Sequence, residues 1–218
     1  MPAKEKITYI CGSCGAKHPK WVGQCNECGV WNSLSETNIP NPTTSIPDFN
    51  RTYSEPIGLS SIQVAQVARM STGFGEFDRV LGGGIVDGAV TLLGGEPGIG
   101  KSTLALQCAN SLSGADLVLY ATGEESLQQL ALRARRTKVE SSNINAIADS
   151  ELETVLHVVN SISPKLVVID SIQTLFSIGQ ESVPGSISQV RTCADRLARF
   201  AKSTGTAILM IGHITKDG

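Results

Sequence analysis

A glycine-rich stretch between an apolar run and a helix-like segment constrains the fold of this chain more than any other feature. The segment "GGEPGIGKST" follows "AVTLL", and Gly95 to Ser102 matches the pattern G-x-x-x-x-G-K-[ST]. In this pattern the glycines let successive backbone N–H groups surround a phosphate chain, and the start of the following helix adds partial positive charge. A strand, a loop and a helix in this order predict a phosphate-binding loop in an α/β fold.

The loop predicts binding of a nucleoside triphosphate together with Mg²⁺. We expect Lys101 to reach the β- and γ-phosphates and the Ser102 hydroxyl to ligate Mg²⁺. A chance glycine-rich turn is the alternative, and the flanking strand and helix argue against it. The predicted nucleotide-binding residues in the loop are Gly95, Glu96, Pro97, Gly98, Ile99, Gly100, Lys101, Ser102 and Thr103.

Apolar runs and segments of helical period alternate after residue 69. The runs "AVTLLGG", "LVLYAT", "KLVVID" and "TAILMIG" are short and rich in Val, Ile and Leu. Between them, apolar residues recur at helical spacing, as at Leu127, Leu130 and Ala134. This alternation predicts βαβ units and a mostly parallel sheet covered by helices on both faces.

Acidic residues follow two of the predicted strands, at the sheet edge where ligands bind in open α/β folds. Asp170 ends "KLVVID", where a buried carboxylate needs a cation, so we expect it to hold Mg²⁺ with Ser102. A plain turn aspartate is the alternative. Glu124 or Glu125, after "LVLYAT", is predicted to orient the attacking water. Alternatively, both glutamates only begin a helix over 126–137, where they favour its dipole.

Four cysteines near the N-terminus have the spacing C-x2-C-x10-C-x2-C; they are Cys11, Cys14, Cys25 and Cys28. This spacing predicts a tetrahedral Zn²⁺ site, and Gly15 and Gly29 are expected to adopt positive φ where the backbone curls past the sulfurs. A disulfide pair or a redox CxxC is the alternative. Because this segment has few apolar residues, metal binding is expected to supply its folding energy.

Composition predicts three parts: a zinc-binding knuckle over 1–33, a Pro-, Ser- and Thr-rich linker over 34–68, and a P-loop domain over 69–218. The formal net charge of −2 excludes a global basic field for nucleic acid. No apolar run reaches the length of a membrane span, and "MPAKEKITYI" lacks the long apolar stretch expected of a secretory signal. The cysteine usage predicts a cytoplasmic protein in which Cys108 and Cys193 are buried structural thiols.

Several of these segments together resemble one known family. "STGFGEFDRVLGGGIVDGAVTLLGGEPGIGKST", "TGEES", "VVIDSIQT" and "IGHITKDG", behind four cysteines, are similar to bacterial RadA, a family of DNA repair and recombination ATPases with a RecA-like core. The resemblance covers the whole chain except the linker. It implies ATP as nucleotide, a homo-hexamer, a RecA-type recombinase as a partner, and DNA-dependent branch migration on single-stranded and branched DNA.

The same resemblance implies a catalytic set. Lys101 belongs to it, Glu124 matches the position of the RecA-type catalytic glutamate, and Glu125 is its neighbour. His213 matches a γ-phosphate sensor, although a strand-end histidine with satisfied hydrogen bonds is the alternative. Family members continue past "GHITKDG" into the rest of the RecA core and a Lon-protease-like domain, so the expected core is incomplete at its C-terminus.

The sequence allows more than one interpretation of three surface features and of the function class. Trp21 and Trp31 either cover the knuckle or stack on bases, with the first favoured. The basic stretch "LRARRTK" favours a solvated helix face over a nucleic-acid or subunit contact. The loop over 177–186 faces DNA by resemblance but contains no Lys or Arg. A KaiC-like signalling ATPase and a nucleotide- and zinc-binding module without motor activity are the alternative functions.

Overall fold

The computed structural model describes residues 7–38, 57–61, 68–179 and 182–213. The chain divides into two compact units, Met1–Val67 and Ala68–Gly218. Most of the predicted linker, and the "ITKDG" end of the last motif, lie outside the described residues. Within the described parts of the chain, no helix combines the length and apolar character needed to cross a bilayer.

The amino-terminal unit contains a three-stranded antiparallel sheet. Its central strand β1 (Ile7–Cys11) pairs with β2 (Lys17–His18) on one side and with β3 (Leu34–Asn38) on the other. β3 lies in the range where the sequence predicts linker. Its residues, "LSETN", are mostly polar and become a strand by pairing with β1, an interaction between distant residues that composition does not reveal.

The described residues of the second unit form seven strands and five helices. Its strands are β4 (Arg69–Met70), β5 (Ile85–Val86), β6 (Val90–Gly95), β7 (Val118–Thr122), β8 (Ile144–Ala148), β9 (Leu166–Asp170) and β10 (Ala207–His213). Its helices are α1 (Gly75–Val80), α2 (Lys101–Leu112), α3 (Leu127–Arg136), α4 (Leu152–Ile162) and α5 (Ile187–Thr204). β4 and β5 pair with each other, and the remaining strands form one sheet in the order β6-β10-β9-β7-β8.

Every pairing in the five-stranded sheet is parallel, and helices cover both faces, which confirms the predicted α/β fold. Side chains of α2 and α3 pack in one apolar cluster, and those of α4 and α5 pack in a second. Alternate residues of each strand join opposite clusters, as Val168 and Val167 of β9 do. Cys108 and Cys193 are fully buried, as predicted, and burial raises their pKa values to about 12 and about 11.

The parallel register brings the predicted motifs to one edge of the sheet. Thr122 at the end of β7 lies opposite Asp170 at the end of β9, and His213 at the end of β10 lies opposite Gly95 at the end of β6. The phosphate loop, the paired glutamates and the strand-end aspartate therefore meet at the carboxyl edge.

Candidate nucleotide site and metal centre

The phosphate loop joins the end of β6 to the start of α2. Gly98 and Gly100 have φ angles of +80° and +101°, which residues with a Cβ rarely adopt, so the glycines permit this path. Lys101 Nζ donates to the carbonyl oxygens of Gly95 at 2.9 Å and of Glu96 at 2.8 Å. Because an ammonium group has three donors, Lys101 retains one for a ligand in the loop.

A cleft of about 370 Å³ opens over the loop. Its lining includes every residue from Pro97 to Thr103 except Ile99, together with four residues from other elements, which are Glu124, Arg133, Arg136 and His213. Glu125 instead lines a neighbouring cavity of about 400 Å³ with Asp149 and Phe176. The predicted binding loop, Glu124 and His213 thus share one cleft that Glu125 does not line.

Asp170 lies beneath the loop and is 2% exposed. Ser102 Oγ donates to Oδ1 of Asp170 at 3.1 Å, so the two predicted Mg²⁺ ligands are adjacent. Tyr120 Oη donates to Oδ2 at 2.6 Å, and Arg133 Nη1 lies 3.7 Å from the same oxygen. These partners belong to α2, β7 and α3, so the carboxylate joins three elements rather than capping its own turn. A hard oxygen donor beside a hydroxyl under a phosphate loop fits Mg²⁺.

Glu124 is held at the mouth of the cleft by two hydrogen bonds. Ser171 Oγ donates to Oε1 of Glu124 at 2.5 Å, and His213 Nε2 lies 2.8 Å from the same oxygen. Burial raises the pKa of Glu124, but the hydrogen bonds from Ser171 and His213 and the charge of Lys101 outweigh it, so the pKa lies below its usual value. Glu124 is therefore an ionised carboxylate at neutral pH.

Gly123 determines how the chain reaches this glutamate. A Cβ at Gly123 would lie 2.2 Å from Thr174 Oγ1 and 2.7 Å from Ser150 Oγ, closer than atoms pack. Any larger residue would push the backbone away from β9 and move Glu124 with it.

Glu125 forms an ion pair with Arg133 of α3, and their side chains are 24% and 19% exposed. Arg133 Nη1 also lies 3.7 Å from Oδ2 of Asp170, so this arginine contacts the carboxylates of both Glu125 and Asp170. The solvated-face interpretation is wrong for Arg133 and stays a prediction for Arg135 and Lys138, which are exposed. Arg133 lies three residues after the buried Leu130, so helical spacing places it on the inner side of α3. The number of charges in a stretch does not show which side of a helix each charge occupies.

The start of the loop over 177–186 is anchored through α4 and α5. Glu153 of α4 accepts hydrogen bonds from Ser177 Oγ at 2.9 Å and from the backbone N–H of Ile178 at 3.2 Å, and it pairs with Arg196 of α5. Burial raises the pKa of Glu153, but these donors, Arg196 above all, lower it to about 2. Val183, further along the loop, is exposed.

The four predicted zinc ligands converge in the amino-terminal unit. Their sulfur atoms all lie within 4.8 Å of one another, and the pairs Cys11–Cys28 and Cys14–Cys25 have sulfur atoms 3.6 Å apart. Four sulfurs at about 2.3 Å from Zn²⁺ in a tetrahedron are separated by about 3.8 Å, so the donor set fits the metal. Disulfides are absent, since all six cysteines, each within the described residues, are free thiols.

Local structure around the cysteines also follows the expected geometry. Gly15 and Gly29 have φ angles of +76° and +70°, as the turn after each cysteine pair requires. Buried His18 places Nε2 3.4 Å from the sulfur of Cys25. The backbone N–H of Cys28 is the main cause that lowers the pKa of Cys25 to about 6, and other donors, including His18, act in the same direction. Burial acts in the opposite direction. A thiolate at Cys25 is the form that binds metal.

The two tryptophans of this unit do not cover its core. Trp21 and Trp31 are 55% and 68% exposed, and the buried cluster is formed around Cys11, Cys25 and Leu34 instead. Both rings nevertheless lie over Gly23, where a Cβ would come within 3.6 Å of Trp31 and 3.8 Å of Trp21, so the favoured interpretation that they cover the knuckle stays a prediction.

Sequence reasoning missed several residues that contact the predicted ligands or glutamates, among them His18, Tyr120, Arg133 and Ser171. None of these residues belongs to a motif of its own, and each lies in a stretch assigned to another feature. Tyr120, for example, lies in the apolar strand β7. A polar atom in an otherwise apolar buried strand is the one signal available, because such an atom needs a partner.

Comparison with known proteins places this geometry in a family. A family profile described as an AAA domain matches residues 59–218, most of the chain. The chain belongs to this family. A second profile, described as a rubredoxin metal binding domain, matches residues 9–36 and so includes all four clustered cysteines.

The predicted resemblance to RadA is confirmed. The chain is 44% identical to the DNA repair protein RadA of Salmonella typhimurium and of Escherichia coli over 225 residues, and 42% identical to that of Bacillus subtilis over 221 residues. These alignments cover 100%, 100% and 99% of this chain but 49%, 49% and 48% of the relatives. The chain thus spans about half the length of these curated relatives.

A solved structure supports the fold alone. A KaiC-like protein from Pyrococcus horikoshii matches with a TM-score of 0.55 at 23% identity, over 68% of this chain and 71% of that chain. The shared feature is the α/β core.

Proposed function

We propose that this chain hydrolyses ATP and acts in DNA repair and recombination, as a DNA-dependent ATPase that promotes branch migration. One observation carries the proposal. The phosphate loop, the Ser102–Asp170 pair and the ionised Glu124 converge from three strand ends on a single cleft. The similarity to RadA proteins supplies the link to DNA repair.

Each residue has a role that its position supports. Lys101 binds the β- and γ-phosphates, and the backbone of the loop surrounds them. Ser102 and Asp170 hold Mg²⁺, which neutralises phosphate charge when it is bound. Glu124 orients the attacking water, because it is ionised and lines the cleft, whereas Glu125 is engaged by Arg133. His213 ends β10 and contacts Glu124, so its position suits a residue that senses the γ-phosphate.

Zinc has a structural role in this proposal. The four cysteines form a closed site with four sulfur donors and no open position for a substrate. Zn²⁺ is thus assigned to folding of the amino-terminal unit, where Cys11 and Cys25 form most of a very small core.

By similarity to RadA we further propose a homo-hexamer, a RecA-type recombinase as a partner, and single-stranded and branched DNA as substrates. Reduced thiols at all six cysteines favour the cytoplasm as the location.

Steady-state ATP hydrolysis with and without single-stranded DNA tests the proposal, with Glu124→Gln as the matched control. We expect DNA to stimulate a turnover that the variant lacks. An ATP hydrolysis rate that is unaffected by DNA would favour a KaiC-like signalling ATPase. Mg-ATP binding without any turnover would favour a nucleotide- and zinc-binding module. A labelled branched DNA substrate then tests branch migration directly.

A further inference from the structure

The aspartate assigned to Mg²⁺ has a neighbour that belongs to no sequence motif. Tyr120 lies in the middle of β7 and is fully buried in the cluster between the sheet and helices α2 and α3. Its ring packs among apolar side chains, so the hydroxyl is the one group of Tyr120 that needs a polar partner. Tyr120 Oη donates a 2.6 Å hydrogen bond to Oδ2 of Asp170.

The two oxygens of Asp170 therefore have different surroundings. Oδ2 accepts from Tyr120 and faces Arg133 Nη1 at 3.7 Å, whereas Oδ1 accepts from Ser102 Oγ at 3.1 Å. The carboxylate torsion of an aspartate is broad and is not determined by the backbone. Rotation of this group would take Oδ2 away from the buried Tyr120 hydroxyl and break the shorter of its two hydrogen bonds, which opposes the rotation.

Tyr120 is a donor under all ordinary conditions. A carboxylate oxygen 2.6 Å away can only accept, so the phenol O–H is the donor in this contact. Tyr120 Oη also lies 3.4 Å from the carbonyl oxygen of Ser102, so the phenol is seated beneath the first turn of α2. One hydroxyl thus contacts both proposed Mg²⁺ ligands.

We propose that Tyr120 is a positioning residue for Mg²⁺: it holds Oδ2 of Asp170 so that Oδ1 stays beside Ser102 Oγ. The inference rests on the proposed function, since it takes Mg-ATP as the ligand. Removing the hydrogen-bond partner of a metal-binding side chain typically lowers metal affinity by roughly 10- to 100-fold.

Tyr120→Phe tests the proposal because it retains the ring and removes only the hydroxyl. Binding of a fluorescent ATP analogue to the full chain is measured in EDTA and during a Mg²⁺ titration. We expect the Mg²⁺ concentration at half-maximal response to rise by roughly tenfold or more, with little change in EDTA. Ser113→Ala is the matched control, since it removes a buried hydroxyl that bonds the Asn110 carbonyl at the other end of α2. The control should leave the Mg²⁺ response unchanged.

The outcomes separate this inference from the proposed function. A folded Tyr120→Phe with the parent Mg²⁺ response overturns the inference alone. A parent protein whose nucleotide binding does not depend on Mg²⁺ overturns the proposed function and the inference together.

A second measurement does not depend on folding of the variant. The chain contains three tyrosines, Tyr9, Tyr53 and Tyr120, so replacement with 3-fluorotyrosine gives three fluorine NMR signals that single Phe variants at Tyr9 and Tyr53 assign. Adding Mg²⁺ to the ATP complex should shift the Tyr120 signal. A Tyr120 signal that does not move would contradict the proposal.

Discussion

His213 Nε2 lies 2.8 Å from Oε1 of Glu124, which joins the ends of β10 and β7 across the intervening strand β9. Ser171, which follows β9 directly, contacts the same oxygen. Three adjacent strand ends thus hold one carboxylate at the mouth of the nucleotide cleft, and the predictions below depend largely on it.

Glu124→Gln should leave nucleotide binding near the parent level and lower ATP turnover by about 100-fold or more, because only the water-orienting charge is lost. Glu125→Gln is the matched control. It should break the pair with Arg133 and affect turnover less, since Glu125 does not line the cleft. Turnover at the parent rate in Glu124→Gln, together with loss in Glu125→Gln, would move the assignment by one residue.

His213→Ala should make hydrolysis more sensitive to acid. The pKa of Glu124 is raised by burial and lowered more strongly by Ser171 and His213, so removing His213 raises it. Because the ionised form is the active one, the rate should fall at a higher pH than in the parent as the solution is acidified. The pH profile of kcat measures this shift, and an unchanged acid limb would argue that Glu124 is not the base.

Lys101→Ala should weaken binding of ATP much more than binding of adenosine, because it removes a cation from the β- and γ-phosphates. Isothermal titration with both ligands measures the difference. The nearby exposed cation Arg135 offers a control, since Arg135→Ala changes the same charge outside the cleft. Equal loss in both variants would indicate a general electrostatic effect rather than a phosphate contact.

Metal analysis of the native protein should find one zinc per chain. Cys11→Ser or Cys28→Ser should release it and unfold the amino-terminal unit, because the cysteines form most of its core. Cys108→Ser, at a buried thiol outside the cluster, is the control and should retain the metal. Native protein without stoichiometric zinc would contradict the assignment.

The Glu153–Arg196 pair should stabilise the second unit in a pH-dependent way. The pKa of Glu153 falls from 4.5 to about 2 on folding, so its contribution is complete above about pH 4.5 and is lost as the pH falls towards 2. Glu153→Gln should lower the melting temperature at pH 7 by about 2–4 °C, the shift expected for about 1 kcal/mol in a chain of this size. Thermal unfolding should show this difference shrinking in acid, and a constant difference from pH 7 to pH 3 would contradict it.

Some elements of the second unit escaped sequence reasoning. β8 is not singled out because "INAIA" is a short edge strand whose Ala and Asn residues favour strands weakly. α4 does carry a helical period, with Leu152, Val155 and Val159 on its buried side, although the predicted helices do not include it. Their structure comes from packing against the sheet.

The sequence by itself determined the elements whose chemistry is local. The glycines of the phosphate loop, the spacing of the four cysteines and the apolar runs of β6, β7, β9 and β10 depend on residues close together in the chain. The tertiary structure decided which side chains from separate elements meet. Tyr120 and Asp170, or Glu124 and His213, are brought together only by the order β6-β10-β9-β7 and its parallel register. Contacts across strands depend on pairing of distant segments, and that pairing has no local signature.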